Sequence, residues 1–268
     1  MYEDFRSLNQ LMVTLHSRLN NEKMKGKNGS KEGSESFTGT KSYAEAEKML
    51  TNGYLEILGT LKDDVKAKSK ISSKYAEELS HPIPHNGIVG YAACVPAAIQ
   101  GLPNSMISVD RKPMKRKTIS ILYGISGACT IKAEWFSEAG SALLSAIDII
   151  EKSGIQTQLK LSFFMGKENN EMVFPTVVIK NYGERYSLQK ISFPLAHPSM
   201  FRRIGFKWLE TTPDTKQNFR HGYGTPVRYE EAEKNVKKKA NEYLLTPDWI
   251  HDHGCSVEAI LKKLEVIK

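Results

Sequence analysis

An α/β fold, with a largely parallel sheet wrapped by helices, is what this sequence predicts. Three observations carry that prediction. Residues 118–125 (TISILYGI) are an apolar run rich in β-branched and aromatic side chains, as expected of a buried strand. Residues 133–153 set Trp135, Ala139, Leu143, Ala146, Ile147 and Ile150 at helical spacing, giving a long helix with one apolar face. Residues 158–165 and 172–180 are two more strand runs joined by six residues, too few for a helical crossover, so they pair as an antiparallel hairpin.

The other elements follow along the chain. Residues 4–20 place Phe5, Leu8, Leu11, Met12, Leu15 and Leu19 at helical spacing. Residues 25–41 are rich in Gly, Ser, Lys and Glu, with Phe37 the one large apolar residue, and read as a flexible linker; the tethered first helix either folds back onto the body or serves as a docking arm for a partner. Ser42 with Glu45 forms a capping box for a helix over 43–50, and a second, strongly charged helix covers 54–75. Two prolines in His81-Pro82-Ile83-Pro84-His85 break the chain. Residues 88–100 are small and apolar, and 106–109 suit a short strand. After the hairpin come a helix over 198–209, a polar loop over 211–225, a basic helix over 229–241 and a short strand over 242–246. A closing helix over 256–267 is capped by Ser256, with Glu258 behind it. The expected organisation is an arm and linker (1–41), a helical and irregular region (42–116) and an α/β domain (117–268).

Composition narrows the class. Apolar residues at 40% and charged residues at 25% are ordinary for a soluble globular protein. No apolar run approaches the ~18 residues of a membrane span, and Met1-Tyr-Glu-Asp-Phe-Arg is not a secretory signal. Cys94, Cys129 and Cys255 are odd in number and far apart, which is no disulfide framework. The expectation is a protein of the cytoplasm with no membrane partner. The net charge of +8 favours anionic partners, nucleic acid first and acidic protein surfaces second; the plainer reading is that the excess keeps the protein soluble.

The order of strand, small-residue turn, long helix, strand hairpin, helices, strand and final helix over 117–268 resembles the von Willebrand A fold. In that family the first strand ends in Asp-x-Ser-x-Ser, which holds a divalent cation at the carboxyl edge of the sheet. The corresponding residues here are Gly124-Ile-Ser126-Gly-Ala128, and Asp248 in Leu245-Thr246-Pro247-Asp248 matches the family's late aspartate. The resemblance therefore implies the fold with its metal site erased, since Ser126 and Asp248 alone are too few oxygens for a hard cation. Residues 191–206 (ISFPLAHPSMFRRIGF) also resemble an uncharacterised set of bacteriophage and mobile-element proteins, which implies a host-cell or virion-associated setting.

Candidate sites are few. His251, His253 and Cys255, with Asp248 just before them, combine imidazole, thiolate and carboxylate in the way Zn²⁺ prefers; otherwise they are a polar loop capping the last helix. Zn²⁺ there is the one cofactor the sequence suggests. Arg111, Lys112, Lys115, Arg116 and Lys117 form a basic run, joined by Arg202, Arg203 and Lys207 and by Lys234, Lys237, Lys238 and Lys239. Such residues neutralise phosphates, and Phe219, Arg220 and Tyr223 are available to stack on unpaired bases. The contrary reading is solvated surface. His197 before a helix is a base or a cap. No Gly-x-Ser-x-Gly, Walker A or Rossmann fingerprint is present. The expected function is a non-enzymatic interaction module of a phage or mobile element, contacting nucleic acid, or a protein complex that handles it. A metal-assisted hydrolase or nuclease using Asp248, His251 and His253 is one alternative, and a virion or assembly component is another.

Overall fold

The structure is a computed structural model and describes residues 2–21, 27–71, 84–109, 118–126, 131–166, 172–212, 223 and 225–267. Its strands in chain order are β1 (Tyr2–Phe5), β2 (Pro84–Gly87), β3 (Ala92–Ala93), β4 (Met106–Val109), β5 (Thr118–Gly124), β6 (Gln156–Ser162), β7 (Met165–Gly166), β8 (Met172–Lys180), β9 (Thr225–Pro226) and β10 (Glu242–Leu245). The main sheet runs β10-β5-β6-β8, with β1 on the far side of β8. β10, β5 and β6 are mutually parallel, β8 is antiparallel to β6, and β1 runs parallel to β8. β7 and β9 extend the sheet at the hairpin end. The mixed α/β class and the antiparallel hairpin are both as the sequence predicts.

Period-two alternation builds two cores from one strand. Ile119, Ile121 and Tyr123 of β5 enter the larger core, while Leu122 points into a smaller one on the opposite face. Helix Ala133–Lys152 covers the larger core with Ala139, Leu143, Ala146, Ile147 and Ile150. Gly154, at φ +88°, sits just beyond its end, where a left-handed residue costs a glycine nothing. Trp135 departs from the expected inner face and stays part exposed at the start of the helix.

The N-terminal reading needs correction. Residues 2–5 form a sheet strand rather than a helical turn, and the helix that follows is Leu8–Ser17. Its Leu11 and Leu15 are buried in the same core as β5, together with Leu50 and Leu61 of helices Tyr43–Asn52 and Leu58–Ile71. One core therefore crosses the expected boundaries at 41 and 116, and the first helix is no tethered arm. The described part of the linker forms two single turns, Gly29–Glu32 and Glu35–Thr38, with Ser30, Thr38 and Thr40 buried. Composition misled here because the segment is held by polar groups instead of apolar anchors. The fully buried Arg203 spends its whole fork of donors on it: Nε on Thr40 Oγ1 (2.6 Å), Nη1 on the carbonyls of Ser30 (2.9 Å) and Lys31 (3.3 Å), Nη2 on those of Gly33 (3.1 Å) and Thr40 (2.6 Å). Glu210, also fully buried, accepts from Ser30 N (2.9 Å), Ser30 Oγ (2.6 Å) and Tyr223 OH (2.7 Å).

Towards the C-terminus, residues 200–205 form a π-helical turn that runs into helix Phe206–Thr211. The expected basic helix is only Tyr229–Asn235. A short helix, Pro247–Asp252, capped by Thr246, precedes the closing helix Val257–Lys263. β2, β3 and β4 form a separate three-stranded sheet, with helix Val95–Ile99 between β3 and β4, and none of residues 85–108 belongs to either core.

Candidate functional site

β5 and β10 are adjacent and parallel, so their carboxyl ends lie side by side and bring Gly124, Ser126 and Asp248 to one edge of the sheet. That edge is where open α/β sheets carry ligands. Here it is closed. A β-carbon built on Gly124 would overlap ring carbons Cδ2 and Cε2 of Phe164. Phe164 is fully buried and meets Phe174 edge-on, with ring centroids 5.3 Å apart, in the smaller core that also holds Leu122, Val227 and Leu244. Ser126 Oγ donates to the Val227 carbonyl (2.9 Å), and Asp248 Oδ2 accepts from the Tyr229 amide (3.1 Å). Ala128 lies outside the described residues. An aromatic ring and two locally committed oxygens do not fit a hard divalent cation, which needs about six oxygen ligands.

A second group assembles behind this edge. His251 stacks on Trp135, with centroids 4.0 Å apart, and its Nε2 lies 3.2 Å from the Trp135 carbonyl and 3.4 Å from Glu138 Oε2. Ligand atoms of Glu138, His251 and Cys255 all fall within 4.8 Å of one another. Cys255 is held in the left-handed region at φ +51°, directly after Gly254 at +66°. Burial pushes its thiol pKa up, against the opposing pull of Lys68. The fully buried Tyr123 hydroxyl has no hydrogen-bond partner among the described residues; burial raises its pKa, and the charges of Asp248 and Cys255 add to that. Of the residues expected to hold zinc, the structure brings together His251 and Cys255. His253 stacks instead on Trp249 (4.0 Å), with Nδ1 2.7 Å from the Trp249 carbonyl. Glu138 carried no local signal in the sequence, because only the packing of helix Pro247–Asp252 on helix Ala133–Lys152 brings it near.

His197 is a buried packing residue and not an exposed base. Its ring lies over Phe193 (5.3 Å) and against the edge of Tyr54 (4.8 Å), and Nδ1 accepts from the Ser199 amide (3.1 Å). Burial brings its pKa down to about 4, against a weaker upward pull from Glu45.

The basic residues are reduced in number. Arg111, Lys112, Lys115, Arg116 and Lys117 lie outside the described residues, as do Phe219 and Arg220. Arg202 and Arg203 are buried, and Arg202 Nη1 donates to the Phe37 carbonyl (2.6 Å); neither belongs to a surface patch. Lys207 bonds Asn20 Oδ1 (3.0 Å), and Lys238 pairs with Glu233. Tyr223 stacks on Phe206 (4.4 Å) instead of offering its face to a base. Lys234, Lys237 and Lys239 are left exposed. Lys237 and Lys239 line a groove of about 240 Å³ with Lys160, Asp4 and Glu242, floored by Leu122 and Phe174. Burial opposes the charge of Glu242, yet Lys160 (2.7 Å) and the Lys239 amide (3.0 Å) hold its carboxyl below the usual range.

The fold is thus a mixed α/β sheet flanked by helices, with the ligand edge filled. Over residues 1–268 the chain matches the model of a family described as a domain of unknown function, DUF7192, and it belongs to that family. Neither the curated proteins nor the solved structures contain a match to it.

Proposed function

We propose that this chain is a non-enzymatic interaction module built on a von Willebrand A-like sheet whose cation site has been replaced by packing. The observation that carries this reading is Phe164 lying over Gly124, at the edge where such a sheet would hold its ligand. β10 lies beside β5 and leads through Thr246 into the helix that carries Asp248, which supports matching Asp248 to the late aspartate of the resemblance. The phage or mobile-element setting rests on the resemblance of residues 191–206 alone. Nucleic acid is the partner we propose, contacted by the exposed Lys234, Lys237 and Lys239, of which the last two line the 240 Å³ groove. Lysines there reach phosphates before bases, so binding is weakly sequence-dependent and falls steeply with salt. Fluorescence anisotropy with labelled single- and double-stranded DNA, at two salt concentrations, tests this. Lys234→Glu, Lys237→Glu and Lys239→Glu together should weaken binding alike across sequences. No binding at low salt, or binding indifferent to the triple change, removes nucleic acid from the reading.

The Glu138, His251 and Cys255 group favours a second reading. These nitrogen, sulfur and oxygen donors suit Zn²⁺ with one coordination position left open. A Zn²⁺ titration in which stoichiometric binding is lost on Cys255→Ser supports it; no binding by the wild type dismisses it.

A further inference from the structure

Helix Leu58–Ile71 sets Lys62, Lys66 and Lys70 four residues apart, so they leave the helix in one row, in steps of about 6 Å. All three are exposed, and Lys62 and Lys66 have no carboxylate partner among the described residues. Val65 and Ser69 fill the stripe beside that row. Lys68 turns the other way, to helix Ala133–Lys152, where it donates to Ser141 Oγ (2.6 Å).

The row borders a groove of about 540 Å³, whose other lining residues include Asp148, Lys152, Tyr186 and Leu188. That volume lies within the roughly 300–1,000 Å³ of small-molecule sites. Val65, Tyr186 and Leu188 give the groove apolar walls, and Asp148 is already paired with Lys152 (2.6 Å). Ser69 also lines it. Ser69 is only 8% exposed, and its hydroxyl has no hydrogen-bond partner among the described residues. A helical serine commonly returns its hydroxyl to the carbonyl four residues back. Here that carbonyl, of Val65, accepts from Ser145 Oγ instead (3.4 Å). A buried hydroxyl left unpaired is a cost that a ligand accepting its hydrogen bond would remove.

We infer that this groove binds a small amphipathic anion, its apolar body against Val65, Tyr186 and Leu188 and its phosphate or carboxylate head held by the lysines and the Ser69 hydroxyl. Charge selects the head. Lysines bind phosphate and carboxylate as point charges, and the one carboxylate in the groove is neutralised by Lys152. The walls select the body, because a plain anion would leave Val65, Tyr186 and Leu188 in water. Size selects a single molecule over a protein element or a duplex. The same chemistry occurs free and in membrane lipids. No helix among the described residues is long and apolar enough to cross a membrane, and the free amphiphile is the ligand argued for. The groove lies against helix Ala133–Lys152 over the larger core, whereas Leu122 and Phe174 of the smaller core floor the Lys237 groove. It stands or falls separately from nucleic-acid binding.

The test is calorimetric titration of the full chain with octyl phosphate and octanoate, below their micelle concentrations, beside octanol and inorganic phosphate. At least one of the two amphiphiles should bind, about tenfold or more tighter than octanol or inorganic phosphate, and the tighter one names the head. Lys62→Gln with Lys66→Gln, at exposed positions, should weaken it by about tenfold, the scale of lost hydrogen bonds to charged groups. Ser69→Ala should weaken it severalfold while the urea unfolding midpoint stays at or above the wild-type value, because the variant removes the unpaired hydroxyl. Lys234→Glu, Lys237→Glu and Lys239→Glu together should leave it unchanged. The proposal is overturned if neither amphiphile binds, if inorganic phosphate binds as tightly, or if affinity ignores the lysine pair or Ser69→Ala. Two further results overturn it by naming another occupant. Flotation with phosphatidic acid vesicles, without binding of either amphiphile, makes it a bilayer; a dimer in size-exclusion chromatography that the lysine variant dissociates makes it a second copy.

Discussion

The ring of Phe164 occupies the space that any side chain at Gly124 would need. β5 supplies the glycine and the connection after β6 supplies the ring, so two chain segments interlock at the carboxyl edge of the sheet. Gly124→Ala should therefore destabilise by overpacking, by about 1–3 kcal/mol. Phe164→Ala should cost about 3–5 kcal/mol by leaving a cavity, and the double variant less than the two costs combined, because each change makes room for the other. Urea unfolding of the four proteins checks this. Additive losses would mean the two residues are not in contact.

Arg203 fastens residues 30–40 to the body by five hydrogen bonds, with no carboxylate directly opposite its guanidinium among them. Arg203→Met leaves several buried carbonyls without a donor and should destabilise by about 3–5 kcal/mol. Arg203→Lys keeps the charge but loses the fork, and should recover little. Removing residues 1–41 takes away β1, Leu11 and Leu15 as well, and should abolish cooperative unfolding in a thermal melt.

His197 gives the fold a pH dependence whose sign is fixed. Its folded pKa, about 4, lies below the unfolded value near 6.5 because burial disfavours the imidazolium. The unfolded chain therefore binds the proton first as pH falls. The contribution of His197 is intact above pH ~6.5, is lost progressively below it, and levels off below pH ~4, a total of about 3 kcal/mol. His197→Asn should flatten that part of the stability–pH profile, as read from denaturant midpoints across the window.

What the sequence reveals is local, and what it hides depends on distant partners. The β5 run, the long helix and the antiparallel hairpin are visible because burial on both faces, 3.6-residue spacing and a six-residue connection each leave a local mark. The clamp on residues 30–40 leaves none. Its polar composition is that of a linker, and the guanidinium that orders it lies more than 160 residues away in sequence. For the same reason Arg203 reads as a phosphate ligand, although it is buried. His251 and Cys255 are recognisable as neighbours in sequence, while Glu138 joins them only through helix packing. That no carboxylate stands at position 124 is legible in the sequence; that Phe164 fills the space beside Gly124 is not.

Calorimetric titration with Mg²⁺ and with Mn²⁺, on the wild type and on Asp248→Ala, tests the closed sheet edge most directly. With Phe164 over Gly124, and with Ser126 and Asp248 committed to Val227 and Tyr229, neither protein should show a saturating site. A saturating site of micromolar affinity in the wild type that disappears in Asp248→Ala would contradict the account.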